Sequence, residues 1–129
     1  MDPISDMLTS IRNGLIVKHP TVEIPFSNLK YEIAKILKRE KLVEKIERKG
    51  KKEKKTIQIT LKYKDKTSII SNLKRISKPG QRIYQTHKEI KPAKKRYGIK
   101  IISTSKGGLI TNKEAKKQKL GGEVLCEIW

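Results

Sequence analysis

The sequence predicts an α+β chain, in which two early helices flank a strand and precede a hairpin, and short strands with one late helix follow. Three observations carry that expectation. Apolar residues recur at helical spacing in two early stretches, alternate strictly near residue 60, and gather into short β-branched runs in the second half. At 129 residues the chain has room for one domain or for two small ones.

Asp2 and Pro3 form a helix start, with an acceptor at the N-cap and a proline at the first helical position, where its missing N–H costs nothing. Ile4, Met7, Leu8, Ile11 and Leu15 then share one face, opposite Thr9, Arg12 and Asn13, and the spacing predicts an end near Gly14. Thr21–Pro25 alternates as a strand after the His19-Pro20 break. Ser27 caps a second helix whose apolar stripe is Leu29, Ile33, Ile36 and Leu37, with Lys38, Arg39 and Lys41 where the helix dipole favours cations. Val43–Lys49 and Thr56–Tyr63 read as a hairpin around Gly50, because Ile57, Ile59, Leu61 and Tyr63 alternate with polar residues. Its tip, residues 49–55, is too charged to pack. It is either a solvated loop or a nonspecific phosphate grip.

The helix, strand, helix and two hairpin strands close near Lys66. From Thr67 to Ser77 the spacing of Ile69, Ile70, Leu73 and Ile76 suits a helix, but the Pro79-Gly80 turn and the strand-like Arg82-Ile83-Tyr84 favour paired strands. Lys91–Arg96, broken by Pro92, reads as a loop or a single helical turn. Gly98–Ile102 is a β-branched strand, and Thr111 with Glu114 has the form of a capping box. The helix it opens ends at Gly121 and has only Ala115 and Leu120 to bury. In the last strand Val124, Cys126 and Ile128 share a face, with Cys126 as a small core residue.

Composition narrows the function classes. Thirty-two Lys and Arg against 13 Asp and Glu give a formal charge of +19. Self-repulsion of that size calls for a polyanion, and nucleic acid is the leading one. Residues 1–66 hold 17 basic and 9 acidic side chains and residues 67–129 hold 15 and 4, so the second half is the more electropositive. No apolar run approaches the ~20 residues that span a bilayer. The N-terminus has the acidic Asp2 and Asp6 rather than the pattern of a signal peptide, which gives the expectation of an untargeted intracellular protein. One cysteine cannot form an internal disulfide, and two histidines make no metal-ligand cluster. No metal, cofactor or small-molecule substrate is expected.

Ser103-Thr104-Ser105-Lys106-Gly107-Gly108, at the end of a strand, offers three hydroxyls, an ammonium and two glycines, a surface suited to phosphate and ribose. A plain turn has the same composition. The order of residues does not match a nucleotide-binding P-loop, whose glycines precede the lysine, and no His/Cys/Asp constellation supplies catalysis. An enzyme is therefore not expected. If the strand continues through the loop, Ser103 and Ser105 project to one side and Thr104 to the other. Six aromatic residues are few for a platform that stacks single strands, which leaves structured RNA as the better partner. The alternative is a freestanding double-stranded RNA- or DNA-binding protein or RNA chaperone, which binds without one preferred site.

Four segments are together more specific than any one of them: residues 2–13, Ile76–Tyr84, Ser103–Gly107 and Gly121–Cys126. In this order they resemble the motifs of the bacterial and organellar small-subunit ribosomal protein S8 family, over the whole chain. The resemblance implies two small domains, an N-terminal α-β-α-β-β unit at residues 1–66 and a C-terminal, mostly β domain with a short helix at residues 67–129. It implies a primary binder of an irregular stem in the central domain of 16S-type rRNA, a role in small-subunit assembly, and neighbouring small-subunit proteins as partners. It implies a place on cytoplasmic or organellar ribosomes, without membrane attachment or homo-oligomer. The RNA contacts of the family match Ser103, Thr104, Ser105, Lys106 and Gly107, with Tyr84, Gly122 and Glu123. In the N-terminal domain they match Asp2, Arg12, Ser27 and Lys30. Two departures stand out: Lys91–Gly98 replaces an apolar short helix and a Gly-Leu-Gly, and Asn112 stands where an aspartate is usual, with Thr111 still available as cap.

Overall fold

Helix α1 (Pro3–Ile16) buries Ile4, Met7, Leu8 and Ile11, the residues that a 3.6-residue repeat places on one face. It does not stop at Gly14. That glycine is buried inside the helix because a Cβ there would overlap the Val22 side chain and crowd Leu61, so its absence lets the following strand approach closely. Strand β1 (Thr21–Pro25) follows. Helix α2 (Asn28–Arg39) is capped by Ser27, whose Oγ accepts the Lys30 N–H at 3.2 Å. Its buried stripe is Lys30, Ile33, Ala34, Ile36 and Leu37, and Leu29, expected inside, is 41% exposed.

The computed structural model describes residues 2–95, 97–106 and 108–129, which form two compact units, Pro3–Ile70 and Ser71–Trp129, with Asp2 grouped with the second. The first unit holds an antiparallel sheet in the order β1-β3-β2, where β2 is Val43–Lys49 and β3 is Thr56–Leu61. Ile57, Ile59 and Leu61 are buried and their neighbours are not, so alternation along β3 survives folding intact. Helix α1 packs on β1 and α2 on β2. The hairpin tip contains a single 3-10 turn, Lys52–Lys54. Beyond it, β4 (Tyr63–Lys64) pairs with β5 (Thr67–Ser68), so Thr67 and Ser68 belong with the first unit.

The second unit is organised by β10 (Gly122–Ile128), which pairs antiparallel with β8 (Ile99–Thr104) along one edge and with β6 (Leu73–Arg75) and β7 (Tyr84–Gln85) along the other. Strand β9 (Gly108–Thr111) extends the sheet beyond β8. The ambiguous stretch after Thr67 is thus strand where it is regular. Pairing to β10 satisfies the backbone of β6, and Ile76 and Ser77 continue it with N–H bonds to Leu125 and Val124. Helix α3 (Asn112–Gln118) packs on β8 and β9 and closes a core of Ile90, Ile102, Ile110, Ala115 and Val124.

The capping box is formed in both directions, with the Glu114 N–H donating to Thr111 Oγ1 and the Thr111 N–H to Glu114 Oε1. Asn112 accepts the Lys100 N–H at 3.0 Å, a bond an amide oxygen makes as an aspartate would. Residues 91–95 form no helix; the Glu127 carboxylate accepts the Lys94 N–H at 2.8 Å, and Lys94 Nζ lies 4.8 Å from the Trp129 ring centre.

A bulge at Leu125 changes the expected face assignment. Val124 pairs with Ile102 and Cys126 with Ile101, adjacent residues of β8, so Val124 and Cys126 face opposite sides of the sheet. Cys126 is fully buried, and burial pushes its thiol up to about 12, against the smaller opposing effect of the Arg75 charge. At mildly alkaline pH, iodoacetamide is therefore expected to leave Cys126 unmodified in the native protein and to alkylate it fully in guanidinium, read by mass spectrometry. Fast alkylation under native conditions would show that β10 opens from its neighbours.

Candidate nucleic-acid interface

Glu123 sits at the end of β10 where two pairings meet. It lies opposite Tyr84 of β7 and opposite Ser103 of β8, and Ser103 lies opposite Leu109 of β9. Residues directly opposite in an antiparallel sheet share a face. Tyr84, Glu123 and Ser103 therefore form one row, on the face opposite Val124 and Ile102. Residues separated by up to 39 positions become neighbours through strand register alone.

Gly122 makes the row close-packed. A Cβ at this position would collide with the Ser103 carbonyl, so only glycine lets β10 lie against β8 here. The Glu123 carboxylate is held by two donors on one oxygen: Ser77 Oγ–H donates to Oε2 at 2.6 Å and Arg82 Nη1 at 2.9 Å. Ser77 is fully buried and also accepts the Ile83 N–H at 3.1 Å, which ties the segment entering β7 to the same carboxylate. Burial raises the Glu123 pKa, but the bonds from Ser77 and Arg82, with the charges of Arg82 and Arg75, outweigh it and hold the carboxyl below its ordinary value. Tyr84 is 67% exposed, so its ring and hydroxyl face outward beside this network.

The loop after the row divides into two kinds of hydroxyl. Strand β8 ends at Thr104, whose buried hydroxyl donates to the Gly108 carbonyl at 3.0 Å and closes the β8–β9 hairpin. Ser105 and Lys106 occupy the turn and are exposed, so the alternation of a continuing strand does not reach Ser105. Ser103 is half-buried at the strand end. Gly107 lies outside the described residues.

The remaining candidates are distributed over both units. Asp2, grouped with the second, accepts from Arg75 Nε at 2.9 Å. Arg12, Ser27 and Lys30 belong to the first unit. Arg12 is half-buried on α1, Ser27 is the α2 cap, and Lys30 is buried beside Pro3, Asp6, Ser10 and Ile24 around a cleft of about 240 Å³. Ser77 and Arg82 are the residues that sequence reasoning did not single out. Both lie in the Ile76–Tyr84 segment, but only the folded sheet carries them to Glu123.

Among the described residues no group of His, Cys, Asp and Glu is arranged to hold a metal, and no helix is long and apolar enough to cross a membrane. A family model described as "Ribosomal protein S8" matches residues 2–129. The small ribosomal subunit protein uS8 of Mycoplasmopsis pulmonis is 53% identical over 128 residues, spanning 99% of this chain and 96% of its own length. Those of Rippkaea orientalis and of a Thermoanaerobacter species are 48% and 50% identical, each over 99% of this chain and 97% of their own length.

The depressed Glu123 carboxyl makes stability depend on pH in one direction. Its contribution is fully present above the ordinary glutamate value of 4.5 and is lost as the pH falls through the lower value of the folded state. Thermal melts followed by circular dichroism between neutral and acidic pH are expected to show a shallower acid-side loss in Glu123→Gln than in the wild type. Equal slopes would mean that the bonds from Ser77 and Arg82 do not stabilise the charged form.

Proposed function

This chain belongs to the ribosomal protein S8 family, and from that premise we propose that it is a structural constituent of the small ribosomal subunit. In that role it binds an irregular stem in the central domain of 16S-type rRNA, aids subunit assembly, and meets neighbouring small-subunit proteins. The observation that carries the reading is the row of Tyr84, Glu123 and Ser103 beside the exposed Ser105-Lys106 turn.

The chemistry of that row suits duplex RNA with local irregularity. An A-form helix offers a shallow minor groove lined by 2′-hydroxyls, while its base edges in the major groove are out of reach. Short side chains can enter a shallow groove that a long side chain would bridge from above. Ser103 and Ser105 supply hydroxyls that donate and accept, and Tyr84 supplies a ring and a phenolic hydroxyl.

A carboxylate at an RNA interface needs a reason, since phosphates repel it. Here Arg82 pairs with Glu123 and both donors land on Oε2, which leaves Oε1 as an acceptor for a hydroxyl donor. A ribose 2′-hydroxyl is such a donor and deoxyribose has none, so the carboxylate favours RNA over DNA. Lys106 adds a phosphate contact at the turn, and Thr104 acts by shaping the hairpin that presents both.

Ser105→Ala is expected to weaken binding to the cognate rRNA stem by about 1 to 3 kcal/mol, the cost of leaving a desolvated polar partner unpaired. Because charge is unchanged, affinity for an unrelated RNA duplex should stay the same. Titration of both RNAs at one salt concentration checks this, and equal losses on the two would return the protein to the class of freestanding, unselective binders.

Lys106→Ala is expected to flatten the dependence of log affinity on log salt by about 0.7 to 0.9, the contribution of one neutralised phosphate. Titrations across a salt series read the slope directly. An unchanged slope removes Lys106 from the phosphate contacts while leaving the serine reading intact.

A further inference from the structure

The first unit carries a second built cluster that the row of Tyr84, Glu123 and Ser103 does not use. Phe26, just before α2, and Tyr31, in its first turn, set their rings 5.7 Å apart at a tilt of 41°. Three cations lie over these two rings. The Arg48 guanidinium carbon is 5.8 Å from the Phe26 centroid and 5.3 Å from that of Tyr31, Lys35 Nζ is 5.3 Å from Tyr31, and Lys55 Nζ is 5.9 Å from Phe26.

Backbone bonds hold the parts in place. The Phe26 N–H donates to the Lys55 carbonyl at 3.0 Å, next to the Pro25–Thr56 pair of β1 and β3, and Arg48 lies opposite Ile57 in the same sheet. Tyr31 and Lys35 are one turn apart on α2. The rings are half-buried, whereas Lys35, Arg48 and Lys55 are exposed.

The nearby carboxylates are already engaged. Glu32 pairs with Lys35 at 2.7 Å, Glu47 with Lys45 at 2.8 Å, and Glu23 accepts from the Thr56 hydroxyl at 2.6 Å. Among the described residues, Arg48 and Lys55 have no carboxylate partner. Cations gathered this closely repel one another, and ring faces offset only part of that. A guanidinium lying over rings keeps its in-plane N–H donors unspent, and the contact already restricts its side chain.

We propose that this cluster is a second RNA contact surface, gripping the phosphodiester backbone with Arg48 as a forked donor and Lys55 as a point charge. The inference rests on the reading of the protein as an RNA binder, but it concerns a different unit and a sequence-independent contact. Residues 48–55 hold six cations and a single acid, Glu53, so the cluster continues into the hairpin tip as a ribbon of positive charge. A chain of evenly spaced phosphates matches such a ribbon better than the mixed charges of an acidic protein do.

The test is titration of the full-length protein with transcribed small-subunit rRNA and with an unrelated structured RNA, each across a salt series. Arg48→Gln with Lys55→Gln is expected to flatten the log–log slope by about 1.5 on both RNAs, at about 0.7 to 0.9 per phosphate. Lys64→Gln with Lys66→Gln, the same charge loss on the exposed β4–β5 turn, is expected to leave it nearly unchanged. Tyr31→Leu keeps every charge and is expected to weaken binding about two- to fivefold with little change in slope, since the guanidinium loses its ring.

Equal flattening by the two double variants would overturn the proposal, because net charge alone would then account for the effect. Unchanged RNA binding together with lost binding to polyglutamate would overturn it too, and would give the surface to an acidic protein. A wild-type protein with no preference for rRNA would sink the ribosomal reading, while the slopes on both RNAs would still decide this surface. Circular dichroism confirms that each variant is folded.

Discussion

The second unit depends on one constraint: β10 must satisfy backbone bonds on both edges with a residue run that is buried almost throughout. A chain with only 35% hydrophobic residues cannot spread its apolar side chains evenly, and from Val124 to Trp129 every residue is buried. Fully buried strands cannot leave N–H and C=O groups unpaired. The strand therefore takes β8 along one edge and the successive short strands β6 and β7 along the other. The bulge at Leu125 shifts the alternation, so Val124 and Cys126, which a regular strand would place on one face, lie on opposite faces of the sheet. The polar row at Glu123 is the same strand at the point where burial gives out.

Under the proposed function, that arrangement separates affinity from selectivity. The lysines and arginines provide long-range attraction for any polyanion, and salt weakens it. Hydroxyls and a neutralised carboxylate act only at contact and depend on the position of a partner atom. Tyr84, Glu123 and Ser103 are held by strand pairing, and Ser77 is buried beneath Glu123. Groups held on a rigid sheet lose little freedom on contact with a ligand, so on the proposed reading small groups can matter beside so large a charge.

Much of the fold was legible because it follows local periodicity. The alternation from Ile57 to Leu61, the hairpin strand Val43–Lys49, the Ser27 cap and the Thr111–Glu114 capping box all rest on spacings within a few residues, and each is present. The misreadings have tertiary causes. Gly14 carries the signature of a helix end, but it lies within α1 because Val22 occupies the space a Cβ would need. Leu29 fits the apolar stripe, yet Lys30 and Ala34 take the buried side. Helix α3 ends at Gln118, with Lys119 as a left-handed cap, before Gly121 is reached.

By itself, the sequence determined the charge, the three helices with the principal strands and the family resemblance, because composition, periodicity and motif order are properties of the linear chain; the short strands β4, β5 and β9 were not read from it. It also brought the loop after β8 to notice, through its hydroxyls. Tertiary structure alone decided which of those hydroxyls remain outward. Thr104 turns in to bond Gly108 and Ser105 stays exposed, a distinction made by where β8 stops pairing. The joining of Ser77, Arg82 and Glu123, and of Phe26, Tyr31 and Arg48, was likewise invisible beforehand. Those contacts are set by the register between strands distant in sequence and by the approach of a helix to a sheet, and neither quantity is encoded in any short stretch of residues.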